Sequence, residues 1–318
     1  MRADVKALPA PFLDRLRRII PTARWDAAAN TFTEPKPTTF RVNTLQATVS
    51  TVREQLHAQG FHLERVPWFP EAWILRRGTL RQLQETEAYH QGAIYVQSLS
   101  SMLPPIVLNP QPGETILDLT AAPGSKTTQM ACLMRGEGRI IANDNHQVRF
   151  YKLRANVEQQ GARNVELRLA YGESIGRHEP ERYDRVLVDA PCSTEGRFLV
   201  SEPASYRYWK PGKIREMAHK QKRLLLSGLD ALRPGGTLVY ATCTFAPEEN
   251  EAVVSWALER VGGAVRVEPM ALELPNQQPG LAAWDQATFD PSLRRAARIL
   301  PTKDMEGFFI ACLRKHTT

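Results

Sequence analysis

The stretch Asp118-Leu119-Thr120-Ala121-Ala122-Pro123-Gly124-Ser125-Lys126 decides the fold. It closes an apolar strand pattern running from Thr115 to Leu119, and a helix pattern opens near Ser125. In an open α/β sheet, ligands bind beyond the carboxyl ends of the strands, where small residues admit them to the backbone and helix N–H groups face them. The turn is therefore a cofactor cradle candidate. Thr120 and Ser125 stand at the two positions where a Walker loop requires glycine, and the Gly-x-Gly-x-x-Gly spacing of dinucleotide sites is also missing.

Outward from this turn, further strand patterns follow at Arg139 to Asn143, Asn164 to Leu169, Tyr183 to Asp189 and Thr237 to Thr242. Helical stretches lie between them, among them Gln147 to Gln160 and Lys213 to Leu232, which is the alternation of a parallel α/β sheet. Two last apolar runs, Ala264 to Val267 and Gly307 to Leu313, have no long helix between them and suggest an antiparallel end. Asp144 falls 20 residues beyond Gly124 at the end of the second strand, where a carboxylate can accept from a ribose diol. Upstream, a helix around Pro11 to Ile20, a strand from Thr39 and a helix from Val49 to Gln59 read as a small α+β domain. The expected division is residues 1–110 and 111–318.

The chain has 318 residues, with 42% hydrophobic and 24% charged, ordinary values for a soluble globular protein. No apolar run approaches the roughly 20 residues of a membrane helix, and the start lacks a secretory pattern, so the expected compartment is cytoplasmic. Cys132, Cys192, Cys243 and Cys312 are too scattered for a disulfide framework or a metal site. The net charge of +7 suits a polyanionic partner without requiring one. Its distribution says more. Between Thr194 and Leu224 stand eight Lys or Arg against three Glu, interleaved with Phe198, Tyr206, Tyr208 and Trp209. That mixture fits a phosphate-and-base surface, and it equally fits a solvated helix face whose aromatics point inward.

Asp189-Ala190-Pro191-Cys192 and Thr242-Cys243 end the fourth and fifth strands of the α/β series, so both cysteines should face the cofactor edge. Cys132 and Cys312 are expected to be buried, inert thiols. A helix expected to begin at Pro247 would bring its positive end near Cys243 and favour the thiolate.

With these loops the sequence closely resembles the Sun/Nop family of RNA cytosine-5 methyltransferases. The resemblance runs through Arg41-Val42-Asn43-Thr44, Gly92 to Met102, the cradle, VLVDAPCSTEGRF, LVYATCTFAPEENE and the final EGFFIACLRK, nearly the whole chain. It implies a Rossmann-like class I methyltransferase sheet, mostly parallel with an antiparallel end, plus a small amino-terminal α+β domain that adds RNA-binding surface. It also implies S-adenosyl-L-methionine as cofactor, no metal, and an RNA substrate, ribosomal RNA first and transfer RNA second. By this resemblance Cys243 is the nucleophile, Asp189 holds the pyrimidine edge, Cys192 serves product release, and Lys126 belongs to the catalytic group. Cofactor contacts carry over to Thr120, Ala121, Ala122, Pro123, Gly124, Ser125, Lys126, Asp144 and Asp189.

The chemistry explains the thiol, because carbon-5 of cytosine becomes nucleophilic only after a thiolate adds at carbon-6. The target base must also leave any stack to reach it.

One position departs from the family. An Asp is usual after the third strand, but this chain reads Leu169-Ala170-Tyr171-Gly172, which leaves Tyr171 or Glu173 to face the adenine. Thr120 and Ser125 replace a more usual Cys and Gly. The alternatives are a DNA cytosine-5 methyltransferase, with Cys192 as nucleophile, and a non-catalytic RNA-binding ribosome-assembly factor. The chain stops soon after its last strand, so the carboxy-terminal RNA-binding module of some family members is expected to be absent, and a monomer is expected.

Overall fold

The computed structural model describes residues 4–317, so residues 1–3 and 318, the outermost positions of the two expected domains, lie outside the described residues. Strands β1 (Thr39–Val42), β2 (His62–Arg65), β3 (Ala72–Arg77) and β4 (Ile94–Val96) form an antiparallel sheet of order β2-β3-β1-β4. The other long strands are β5 (Thr115–Asp118), β6 (Arg139–Asp144), β7 (Val165–Leu169), β8 (Tyr183–Asp189), β9 (Leu232–Thr242) and β10 (Val265–Glu268). Short strands follow at β11 (Gln277–Pro279), β12 (Ala283–Trp284), β13 (Ala287–Thr288) and β14 (Ala297–Ile299), and β15 (Phe308–Lys315) ends the series. The main sheet has the order β11-β14-β15-β9-β8-β5-β6-β7, with β10 beside β15, while β12 and β13 pair separately. Pairings among β5, β6, β7 and β8 are parallel, and β14 pairs antiparallel with both β11 and β15.

The burial of these strands follows from their sequences. Ile116, Leu117, Ile140, Ile141, Val186 and Leu187 are fully enclosed, as central parallel strands covered on both faces must be. The last strand in the order, β7, reads Val-Glu-Leu-Arg-Leu and is only half-buried, so an edge strand carries the polar residues.

By contact, the chain divides into two compact units. One comprises Pro37–Asp189, Leu226–Val239 and the last residues from Lys315, and the other comprises the residues up to Lys36, Ala190–Leu225 and Tyr240–Arg314.

Within the first unit, the small antiparallel sheet packs Phe40, Val42, Leu56, Trp73 and Ile94 into its own core. Arg41 and Asn43 point away from that core. The buried Arg41 guanidinium donates to Gln97 Oε1 at 2.9 Å, Thr128 Oγ1 at 2.8 Å and the Ser125 carbonyl at 3.2 Å. Asn43 Nδ2 donates to the carbonyls of Gly92 and Gln160, each at 2.8 Å. The Arg-Val-Asn motif thus fastens the small sheet to the helix Ser125–Leu133 that leaves the cradle.

Within the second unit, Glu251 and Arg298 form a buried ion pair, with Nε to Oε1 at 2.6 Å. Arg298 also donates to the Phe245 carbonyl at 2.8 Å, and Glu251 accepts the Leu281 backbone N–H at 2.9 Å.

Candidate active site

The cradle belongs to the first unit. β5 ends in Asp118, and the turn that follows brings Gly124 to a φ of +107°, where an added Cβ would sit 3.0 Å from Leu153 Cδ1. Glycine is favoured there by its conformation, and the close approach of Leu153 adds to the preference. Lys126 is buried and donates to Asp189 Oδ2 at 2.6 Å and to Ser101 Oγ at 2.8 Å. Thr120 donates its hydroxyl to the Asp189 carbonyl at 2.8 Å. Asp189, whose carboxylate remains partly exposed, is therefore oriented by two residues of the cradle.

Asp118 itself is buried, and its Oδ2 accepts from Thr127 Oγ1 at 2.7 Å while Oδ1 has no partner among the described residues. Burial pushes its carboxyl up to about 7; the Thr127 hydrogen bond and Lys126 oppose this, and Asp189 adds to it. Asn143 Oδ1, at the end of β6, is likewise buried without a partner. Asp144 is buried, accepts the His146 backbone N–H at 3.0 Å and pairs with Arg149 at 3.2 Å. These unmet acceptors suit a ligand that brings an ammonium group and hydroxyls. Asp118 was not among the site residues expected from sequence; its signal was a lone acid at the end of an otherwise apolar strand.

Tyr171 immediately precedes the helix Gly172–His178 and is 72% exposed, while Glu173, in that helix, holds a buried Oε2 without a partner among the described residues. Of the two residues considered for the missing acid, Glu173 is the one with an unmet acceptor.

The cysteine loops belong to the second unit. Cys192 Sγ and Cys243 Sγ lie 3.3 Å apart, within sulfur hydrogen-bonding distance. Ser193 Oγ and Thr244 Oγ1 bridge the same two loops at 2.8 Å. The hydrogen bond with Cys243, followed by burial, pushes the Cys192 thiol well up, so Cys192 is the sulfur that keeps a proton. Glu195 is buried and accepts from Thr244 Oγ1 at 2.9 Å, the Phe245 backbone N–H at 3.0 Å and Trp209 Nε1 at 2.9 Å.

Two expectations are corrected here, the first and third below, and one alternative left open is decided. The helix after Cys243 begins at Glu251; Pro247 to Asn250 form a turn, held by Ala252 N–H to the Pro247 carbonyl at 2.9 Å, so no helix end lies next to Cys243. Second, the aromatics among the basic residues are mostly internal. Phe198 and Trp209 pack against Phe12 with ring centroids 4.8 and 5.9 Å away, and Tyr206 packs on Phe198 at 6.0 Å. Only Tyr208 of the four is exposed, with the Arg207 guanidinium 5.1 Å from its ring centre. Third, Cys132 and Cys312 are half-buried, and Cys132 donates to Asn43 Oδ1 at 3.1 Å.

The 16S rRNA methyltransferase RsmB/F family model matches residues 105–314, and the N-terminal domain model of 16S rRNA methyltransferase RsmF matches residues 8–99. The chain belongs to the RsmB/F family. Among its relatives, ribosomal RNA small subunit methyltransferase F of Serratia proteamaculans is 36% identical over 316 residues, 97% of this chain and 63% of that protein. A tRNA (cytosine(49)-C(5))-methyltransferase of Pyrococcus abyssi is 39% identical over 284 residues, 89% of each chain. The chain thus spans less than two thirds of the length of its bacterial relatives of this name and nearly the full length of the archaeal one. A crystal structure of a methyltransferase homologue from Pyrococcus horikoshii superposes with a TM-score of 0.79 at 34% identity, covering 97% of this chain and all of that one.

The fold of an RsmB/F protein is therefore the one expected: a mostly parallel sheet with an antiparallel end and a small α+β part at the amino terminus. Among the described residues no helix is long and apolar enough to cross a membrane, and no cluster of three His, Cys, Asp or Glu is arranged to hold a metal.

Proposed function

We propose that the chain transfers a methyl group from S-adenosyl-L-methionine to carbon-5 of a cytosine in RNA through a covalent cysteine adduct. The observation that carries this reading is the pair of thiols 3.3 Å apart on the loops that follow β8 and β9, because a reversible thiolate addition can use one sulfur as nucleophile and the second to assist its departure. S-adenosylmethionine supplies the electrophilic methyl group when bound. Asp118, the turn from Thr120 to Lys126, Asp144 and Glu173 would hold it, since their unmet oxygens and small residues fit its cationic and hydroxyl-bearing parts.

In the proposed mechanism, Cys243 adds as a thiolate to carbon-6 of the cytosine, which makes carbon-5 nucleophilic. Asp189, fixed by Lys126, accepts from the polar edge of the ring and orients it for the addition. After methylation, transfer of the carbon-5 proton to a water molecule lets its bonding pair re-form the carbon-5–carbon-6 double bond, and the Cys243 thiolate leaves with the carbon–sulfur pair. Cys192, which retains its proton, donates a hydrogen bond to that departing thiolate. Exposed Arg207, Lys210, Arg215 and Arg223, together with Tyr208, supply cationic and stacking groups for RNA.

The substrate assigned is ribosomal RNA, supported by the RsmF amino-terminal match over residues 8–99, and the archaeal relative makes transfer RNA the second reading. A cytoplasmic monomer, and a functional division at residues 1–110 and 111–318, belong to the same proposal; separate family matches over residues 8–99 and 105–314 support a division near this point. The reading is tested by incubating the protein and labelled S-adenosylmethionine with small ribosomal subunits, transfer RNA and DNA. Label in 5-methylcytosine of ribosomal RNA is expected; label confined to transfer RNA reassigns the substrate, and label in DNA alone overturns the reading.

Cofactor binding should depend on pH. A cationic ligand group beside Asp118 requires its carboxylate, so below about pH 7 binding must expel a proton and affinity falls by up to about tenfold per pH unit. Calorimetric titration of S-adenosylmethionine between about pH 5.5 and 7.5 is expected to show this slope, and Asp118→Asn is expected to flatten it. An undiminished slope in the variant would show that Asp118 is not the group that loses the proton.

A further inference from the structure

The turn ahead of the helix Glu251–Val261 carries two adjacent polar residues, Glu249 and Asn250, both 0% exposed. Asn250 grips the Cys243 loop on both sides of the cysteine. Its Oδ1 accepts the Thr242 hydroxyl at 2.5 Å, and its Nδ2 donates to the Thr244 carbonyl at 3.0 Å. Glu249 does the equivalent for Cys192 with the help of Gln221. Its Oε2 accepts the Ser193 backbone N–H at 3.0 Å and Gln221 Nε2 at 2.8 Å, and Gln221 Nε2 also donates to the Pro191 carbonyl at 2.8 Å. The backbone of Glu249 is pinned in turn by the Tyr240 hydroxyl, which donates to its carbonyl at 2.6 Å.

Cys243 therefore has both of its neighbours tied to Asn250, while Cys192 has its following residue tied to Glu249 directly and its preceding residue tied through Gln221. Two loops that are 51 positions apart in sequence share one rigid reference. Burying a carboxylate and a carboxamide side by side is unfavourable unless hydrogen bonds compensate, and here Ser193, Thr242 and Thr244, each adjacent to one of the two thiols, supply such bonds. Resting on the function proposed above, we infer that Glu249 and Asn250 are positioning residues that set the separation of the two sulfurs, Asn250 by fixing the Cys243 loop and Glu249 by fixing the Cys192 loop. Neither residue touches the reacting atoms.

Glu249 Oε1 has no partner among the described residues, and burial pushes its carboxyl up to about 7. A neutral Gln at this position can keep the acceptor for Ser193 and Gln221, which makes Glu249→Gln the conservative variant. Glu249→Ala removes the grip altogether.

The direct readout is formation of the Cys192–Cys243 disulfide on addition of diamide, followed by mass spectrometry of the linked peptides. Two thiols lose two hydrogens, which diamide takes up as its hydrazine, and no RNA or methyl donor is involved. Wild type should form this link readily, Glu249→Ala and Asn250→Ala at least about tenfold more slowly, and Glu249→Gln within about threefold of wild type, because displacing reacting atoms by a fraction of an ångström has effects of this order. Adduct trapping on RNA containing 5-fluorocytidine adds a split that general loosening does not produce. Asn250→Ala should slow adduct formation, whereas with unmodified RNA Glu249→Ala should form the adduct and release it slowly.

Disulfide formation at the wild-type rate in both alanine variants overturns the inference, as does a Glu249→Gln variant as slow as Glu249→Ala. If the alanine variants lose a cooperative unfolding transition, Gln221→Ala, which frees only the Cys192 side, takes their place: slower linkage supports the inference and an unchanged rate overturns it. A wild type that forms the disulfide with the expected variant pattern but methylates no nucleic acid would refute the proposed function and leave the positioning role standing.

Discussion

Cys243→Ala is expected to lower methyl transfer by at least about 1,000-fold and to leave no covalent protein–RNA complex, because no other group can raise carbon-5 of cytosine to a nucleophile once the carbon-6 addition is lost. Cys192→Ala should behave differently. It removes the sulfur that donates to the departing Cys243 thiolate across 3.3 Å, so addition can proceed while expulsion slows. The expected result is a protein–RNA complex that survives denaturing electrophoresis, together with multiple-turnover activity near background. The comparison tests the two roles that the family resemblance assigns to the cysteines, each of which follows a strand of the same sheet. Loss of the complex in both variants would make the two sulfurs a single functional unit.

The largest stability effect is expected at Arg298. Arg298 is 2% exposed and its guanidinium meets Glu251, which is 0% exposed, and also supports the Phe245 carbonyl two residues after Cys243. Removing one partner of a buried ion pair leaves an uncompensated charge and costs about 3–5 kcal/mol. Arg298→Ala should therefore lower the urea midpoint strongly. Glu251→Gln/Arg298→Met, which removes both charges, should recover much of the loss, and failure of that recovery would show that the hydrogen bonds to Phe245 and Leu281 carry the effect.

The parallel part of the sheet was legible because its strands are apolar runs buried on both faces. β8 falls at Tyr183–Asp189 as expected, and β5, β6 and β7 agree to within a residue at each end. The helix Leu99–Leu108 was not legible, since Pro104 and Pro105 lie inside it and local propensity argues for a break; it forms where packing encloses nearly all of it. Strands such as β11 and β14, three residues each, are too short to show any period. Long-range pairing was also invisible: Arg15 meets Glu248 across 233 positions, and Phe12 packs on Phe198, which drew an aromatic of the basic stretch inward.

At the candidate site, the cysteines and the small-residue turn stood out because their chemistry is rare at strand ends. Asp118, Glu249 and Asn250 did not, because an acid or amide in a sequence does not reveal whether its oxygens find partners. The helix expected at Pro247 failed for a related reason. The proline suits a first turn, but Asn250 is committed to Thr242 and Thr244, and the chain enters the helix only after it.

The central claim is that Cys243 is the attacking thiol and that the acceptor is a cytosine of RNA. It is tested most directly by trapping the wild-type protein, with S-adenosylmethionine, on small ribosomal subunits containing 5-fluorocytidine, digesting the complex, and identifying the peptide that carries the nucleotide. The account predicts a methylated fluorocytidine on the peptide containing Cys243. The same nucleotide on the peptide containing Cys192 would contradict it.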